Sequence, residues 1–113
     1  MENVIQISSW EDRRIAGYRN LKDSQLRERQ SRFIIEGKLV LERFVTESLM
    51  ICESVLVLEK HVETVKKLKI VSGKSFDIFQ ASQEVMDAIV GFNFHRGFLA
   101  LGKRPEQLEL SAL

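Results

Sequence analysis

Glu53-Ser54-Val55-Leu56-Val57-Leu58 is a short β-rich run whose last four residues are all apolar. A strand with one wet face alternates apolar and polar side chains; an unbroken apolar strand is covered on both faces. The flanking sequence supplies the covers. Upstream, Lys38 to Leu49 places Val40, Leu41, Phe44 and Val45 at helical spacing. Downstream, Glu59 to Leu68 reads as a second helix, with Glu63 four residues before Lys67 as a favourable surface pair. Farther out, Arg32 to Glu36 is a second strand closed by Gly37, and Phe76 to Phe79 is a third, reached through the turn Ser72-Gly73-Lys74. Ser82 caps a helix over Gln83–Ile89, Gly91 ends it, and Phe98 to Leu101 is a last strand before Pro105. At the N-terminal side, Ser8 to Arg14 reads as a helix start, with Ser9 as cap and Asp12 closing a capping box. The polar stretch Lys22 to Gln30 reads as a short helix or loop. The order α-β-α-β-α-β-α-β predicts a compact three-layer α/β/α sandwich around a four-stranded sheet.

The chain has 113 residues, a net charge of +1, 44% hydrophobic and 29% charged residues. This is the composition of one globular domain large enough to hold a core without disulfide or metal support. The single cysteine, Cys52, excludes an internal disulfide, and the two histidines offer no four-ligand zinc spacing. The run Val55–Leu58 is far shorter than the ~20 apolar residues of a membrane span. The start Met-Glu-Asn lacks a basic stretch leading into an apolar core. The expectation is a cytoplasmic protein with no membrane partner.

Catalysis finds no support in the motifs. His61 and His95 stand on different elements without triad spacing, and there is no Walker loop, dinucleotide fingerprint or carboxylate pair. Cys52, before a core strand, reads as a buried, inert thiol. Binding is better represented. In Arg32-Phe33-Ile34-Ile35-Glu36-Gly37-Lys38, a strand feeds a glycine turn that opens a helix, so free N–H groups and Lys38 suit a phosphate. A plain βα turn is the other reading, with Glu36 accepting hydrogen bonds from backbone or from Arg32. In Gly91-Phe92-Asn93-Phe94-His95-Arg96-Gly97-Phe98, Asn93, His95 and Arg96 offer donors to phosphate or base edges. Phe92 and Phe94 serve either as stacking platforms or as core residues. From Gly91 to Pro105 there are three basic residues and no acid, and Arg13 and Arg14 add charge on the first helix. Arg13, Arg14, Arg32, Lys38, His95 and Arg96 are therefore the candidate nucleic-acid contacts, expected to converge on one face around the first βα turn.

Arg32-Phe33-Ile34-Ile35-Glu36-Gly37 and the later His95-Arg96-Gly97-Phe98-Leu99-Ala100 together resemble the R-F-[LIV]-[LIV]-E-G and H-[QR]-G-x-[LIV]-A segments of SpoU (TrmH-like) RNA 2′-O-methyltransferases. In that family both belong to the N-terminal substrate-binding domain, and the similarity runs from about Ile7 to Pro105. The resemblance implies a fold similar to kink-turn-binding ribosomal proteins. Arg32 and His95 become RNA contacts, while Glu36, Gly37 and Gly97 become structural positions. Arg96 stands where many relatives carry Gln. The resemblance further implies residues 1–105 as an RNA substrate-binding domain, with 106–113 starting a linker toward a knotted catalytic domain. No motif of that second domain occurs here, so S-adenosylmethionine is expected there and not in this chain. The partners implied are structured RNA, ribosomal or transfer, and a homodimer formed through the missing domain. A stand-alone kink-turn-type RNA-binding protein and a protein-interaction or dimerisation module are the alternatives.

Overall fold

Val55, Leu56 and Val57 are fully buried and point alternately into two separate cores, one on each side of a sheet. The computed structural model describes residues 4–19, 32–47, 50–90 and 97–103. Its strands are β1 (Val4–Ile7), β2 (Arg32–Glu36), β3 (Ile51–Leu58), β4 (Asp77–Ala81) and β5 (Phe98–Lys103). They form one five-stranded mixed sheet in the order β1-β4-β3-β5-β2. β1, β4 and β3 run parallel; β5 is antiparallel to both β3 and β2. β3 therefore lies in the middle, which is why its sequence shows no polar face.

The helices are α1 (Ala16–Arg19), α2 (Lys38–Glu47), α3 (Val62–Ser72) and α4 (Gln83–Val90). Leu41, Phe44 and Val45 of α2, with Val62 and Val65 of α3, pack on Val55, Val57, Ile78, Phe98 and Ala100. On the other face Ile15 and Tyr18, with Met86 and Ile89 of α4, pack on Ile7, Leu56, Phe79, Leu99 and Leu101. The three-layer α/β/α arrangement is thus present.

The strand count differs from the sequence expectation: β1 adds a fifth, parallel to β4 with Val4 opposite Ile78 and Ile7 opposite Ala81. Val4, Ile5 and Ile7 are β-branched, which is a strand signal, but this four-residue segment is an edge strand only through a partner more than seventy positions away. The first helix also starts later than expected. Ser9 Oγ accepts from Glu11 N at 3.1 Å, and Asp12 is the cap, its carboxylate accepting from Arg14 N at 2.9 Å. A 3-10 turn, Arg13–Ile15, then leads into α1. Glu63 meets Lys66, one turn away, at 3.6 Å, and α3 continues to Ser72 before Gly73 ends it. The capping role of Ser82 holds: its Oγ accepts from Val85 N at 3.2 Å and its carbonyl from Met86 N at 3.0 Å. Gly91, Phe92, Asn93, Phe94 and Pro105, like Lys22 to Gln30, lie outside the described residues.

A register shift between Cys52 and Ser54 marks a bulge at Glu53. The extra residue reverses the inside–outside alternation. Cys52 consequently joins Val55 and Val57 in one core, while Ser54 reaches the other and pairs with Tyr18, Oγ to hydroxyl 2.7 Å. Burial pushes the Cys52 thiol up to about 12 from its ordinary 9.0. Thiolate-directed reagents should therefore leave Cys52 unmodified in the native protein at pH 8 and label it rapidly in urea. Because the folded-state value is the higher one, stability is complete below the ordinary thiol range and falls as pH rises from there toward 12. Native labelling at the denatured rate would contradict this placement.

Candidate nucleic-acid interface

β1, β2, β3 and β4 all end at the same edge of the sheet, and β5 begins there. In open α/β sheets this is the end where connecting loops gather side chains for ligands. Gly37 makes the transition from β2 to α2. Its φ of 94° is left-handed, its N–H donates to the Phe98 carbonyl at 3.2 Å, and its carbonyl accepts from Leu41 N at 3.0 Å. One residue thus closes the strand against β5 and starts the helix, a conformation glycine adopts without steric cost. Lys38 follows, exposed, in a first turn that contains no acidic residue.

On the neighbouring strands, Leu58 N donates to the Gly97 carbonyl at 3.2 Å and a 3-10 turn, Glu59–His61, leads into α3. The His61 imidazole stacks on Phe98, ring centroids 4.3 Å apart and planes 28° from parallel. Gly97 has φ +75°, and a Cβ there would stand 2.7 Å from His61 Cδ2. Burial, then the charges of Lys60 and Lys38, hold the His61 imidazole below its ordinary titration range. Beside this cluster an open groove of about 830 Å³ runs from Gln6 past Leu58, Glu59 and Lys60 to Gln83.

The predicted contacts do not all meet here. Lys38 and Gly97 do. Arg32 lies at the opposite end of β2, where it stands opposite Lys103 and its Nε donates to Glu53 Oε1 at 3.3 Å. Arg32 and Lys38 therefore do not flank one turn: the whole length of β2, about 13 Å, lies between Arg32 and the turn at Gly37. The same extension corrects the Arg32–Glu36 pairing. Four strand residues put their side chains on one face but about 13 Å apart, beyond hydrogen-bond reach. Glu36 is exposed, opposite Leu99. Arg13 and Arg14 are exposed on the 3-10 turn. Arg14 is engaged locally, its Nη2 2.7 Å from Asp12, and that hydrogen bond raises the guanidinium above its ordinary value. His95 and Arg96 lie outside the described residues. Lys60 and His61, which the sequence did not single out, stand in the cluster. Their one sequence signal is position, immediately after a strand that ends at the same sheet edge as β2.

Among the described residues, no group of three or more His, Cys, Asp and Glu side chains could hold a metal ion, and no helix is long and apolar enough to cross a membrane. No family model matches the chain, and no curated protein matches it by sequence. Solved structures do. A ribosomal RNA methyltransferase from Sinorhizobium meliloti superimposes with a TM-score of 0.67 at 16% identity, covering 90% of this chain and 38% of its own. The same enzyme bound to AdoMet gives 0.67 at 15%, covering 90% and 37%. An RNA 2′-O ribose methyltransferase gives 0.65 at 24%, covering 90% and 38%. The chain has the fold of a part of these methyltransferases and spans well under half of their length.

Proposed function

We propose that this chain is an RNA-binding substrate-recognition module of a SpoU-type, S-adenosylmethionine-dependent 2′-O-methyltransferase acting on transfer or ribosomal RNA, and that it is non-catalytic by itself. The observation that carries the reading is the fold likeness, which takes in 90% of this chain and about 38% of RNA methyltransferases. Lys38, exposed in a first turn that contains no acidic residue, supports it. In this reading residues 1–105 are the recognition domain, residues 106–113 begin a linker, and methyl transfer, with any dimer contact, belongs to a second domain.

In this reading S-adenosylmethionine is held by the second domain and not by this chain. Such a ligand needs several converging polar groups in a concave site. Among the described residues the buried side-chain hydroxyls are those of Ser54 and Tyr18, and they are paired with each other. The groove beside Lys60 is open and carries the carboxylates of Glu59 and Glu63. The reading therefore assigns no methyl-transfer step to this chain.

Titration of the protein with transfer RNA and with ribosomal RNA fragments at increasing salt tests the proposal. The expected result is binding that weakens with salt, with a log–log slope of about −0.7 to −0.9 per phosphate neutralised. Absence of binding to either RNA at low salt would overturn it. Calorimetry with S-adenosylmethionine should show no heat of binding; stoichiometric uptake would overturn the non-catalytic assignment.

A further inference from the structure

We propose that Lys38, Lys60 and His61 form one binding site for a backbone phosphate of the RNA, and that His61 takes up a proton when the phosphate binds. This rests on the RNA-recognition reading above and names the place where the nucleic acid is held.

Three elements assemble the site. The hydrogen bond from Gly37 N–H to the Phe98 carbonyl ties the start of α2 to β5. The bond from Leu58 N–H to the Gly97 carbonyl ties the end of β3 to the other side of β5. His61 then lies on Phe98, so Lys38, Lys60 and His61 surround the first residues of β5 from two directions. Phe98 belongs to the core under α2 and α3, so the imidazole stacked on it lies on that face of the sheet, with Lys60 next to it in the chain. Ile35 points to the same core, which turns Glu36, the next residue, toward the other face.

Neither Lys38 nor Lys60 is in an ion pair with a described residue. The carboxylates on the same elements are Glu42, one turn along α2 from Lys38, Glu47 at the far end of α2, and Glu59 and Glu63 beside Lys60. Glu63 is engaged with Lys66, and the charges that act on His61 are those of the two lysines. Gly97 and Phe98, which pack against the ring from β5, are uncharged. Two cations and a partly buried imidazole thus stand at this edge, and the two lysine charges are the ones that act on the ring, with Glu59 next to Lys60 in the chain. Such an arrangement favours a ligand that brings negative charge. The free site disfavours protonation of His61; a bound phosphate reverses the sign of the local field and favours it.

The test is affinity for a fluorescently labelled transfer RNA between pH 6 and pH 8 at fixed salt, with proton uptake counted by calorimetry in buffers of different ionisation enthalpy. One linked proton can change affinity by at most about tenfold per pH unit. The wild-type protein should bind about threefold to tenfold tighter at pH 6 than at pH 8. His61→Gln should remove most of that dependence, whereas His95→Gln should leave it. Lys38→Gln and Lys60→Gln should each weaken binding about fivefold and make the salt slope shallower by about 0.7 to 0.9. Lys67→Gln, on the exposed side of α3, should do neither. RNA binding without pH dependence, or with a dependence that follows His95, would overturn the site and leave the recognition-module reading in place. Failure of the wild-type protein to bind RNA at any salt would overturn both.

Discussion

Tyr18→Ala should lower the unfolding free energy by about 3–5 kcal/mol, the range for removing a fully buried aromatic side chain. Tyr18 has no exposed surface, and it anchors the single turn of α1 to the sheet. The loss has two parts. The ring fills the core between α1 and β5, and the hydroxyl pairs with Ser54 Oγ at 2.7 Å beside the β3 bulge. Tyr18→Phe separates them. It keeps the ring and leaves the buried Ser54 hydroxyl without this partner, at a cost of about 1–2 kcal/mol. Burial raises the Tyr18 phenol far above its ordinary range, so the hydroxyl remains protonated and can serve as a donor in the native state. Urea denaturation of the three proteins supplies the measurement. Tyr18→Ala within 1 kcal/mol of the wild type would show that α1 does not depend on this contact.

Gly97→Ala should cost about 2–4 kcal/mol and should also disturb the cluster at the sheet edge. At φ +75° an alanine is strained by about 1–2 kcal/mol. Its Cβ would stand 2.7 Å from His61 Cδ2, 2.8 Å from Nε2 and 3.2 Å from Leu58 Cδ1. Overpacking of this kind costs about 1–3 kcal/mol, and the imidazole can relieve part of it by tipping away from Phe98. Two measurements follow the two consequences. Denaturation reads the strain, and the His61 ring-proton shifts in NMR read the loss of stacking on Phe98. An alanine variant with native stability and unchanged His61 shifts would exclude the close Gly97–imidazole contact.

These two variants probe contacts of different origin, and the difference bears on what a sequence can determine. The buried strand at Val55–Leu58, the helical spacing of Leu41, Phe44 and Val45, and the Ser82 cap were all legible, because each depends on neighbours a few positions apart. Local periodicity reports which face of an element is buried, and that was enough for the layered architecture. It does not report strand order. Val4–Ile7 becomes a strand only because β4 accepts it at the sheet margin. Arg32 has Glu53 within reach, and not Glu36, because β2 and β3 flank β5 and both Arg32 and Ile51 stand opposite Lys103. The same order, β3-β5-β2, brings Lys38, Lys60, His61 and Gly97 to one edge from positions up to 59 residues apart. The sequence by itself determined the strands β2 to β5, the helices α2 to α4 and most of their buried faces, through interactions within a few residues. Tertiary structure alone decided which loops meet, because strand pairing and register are set by contacts between distant segments.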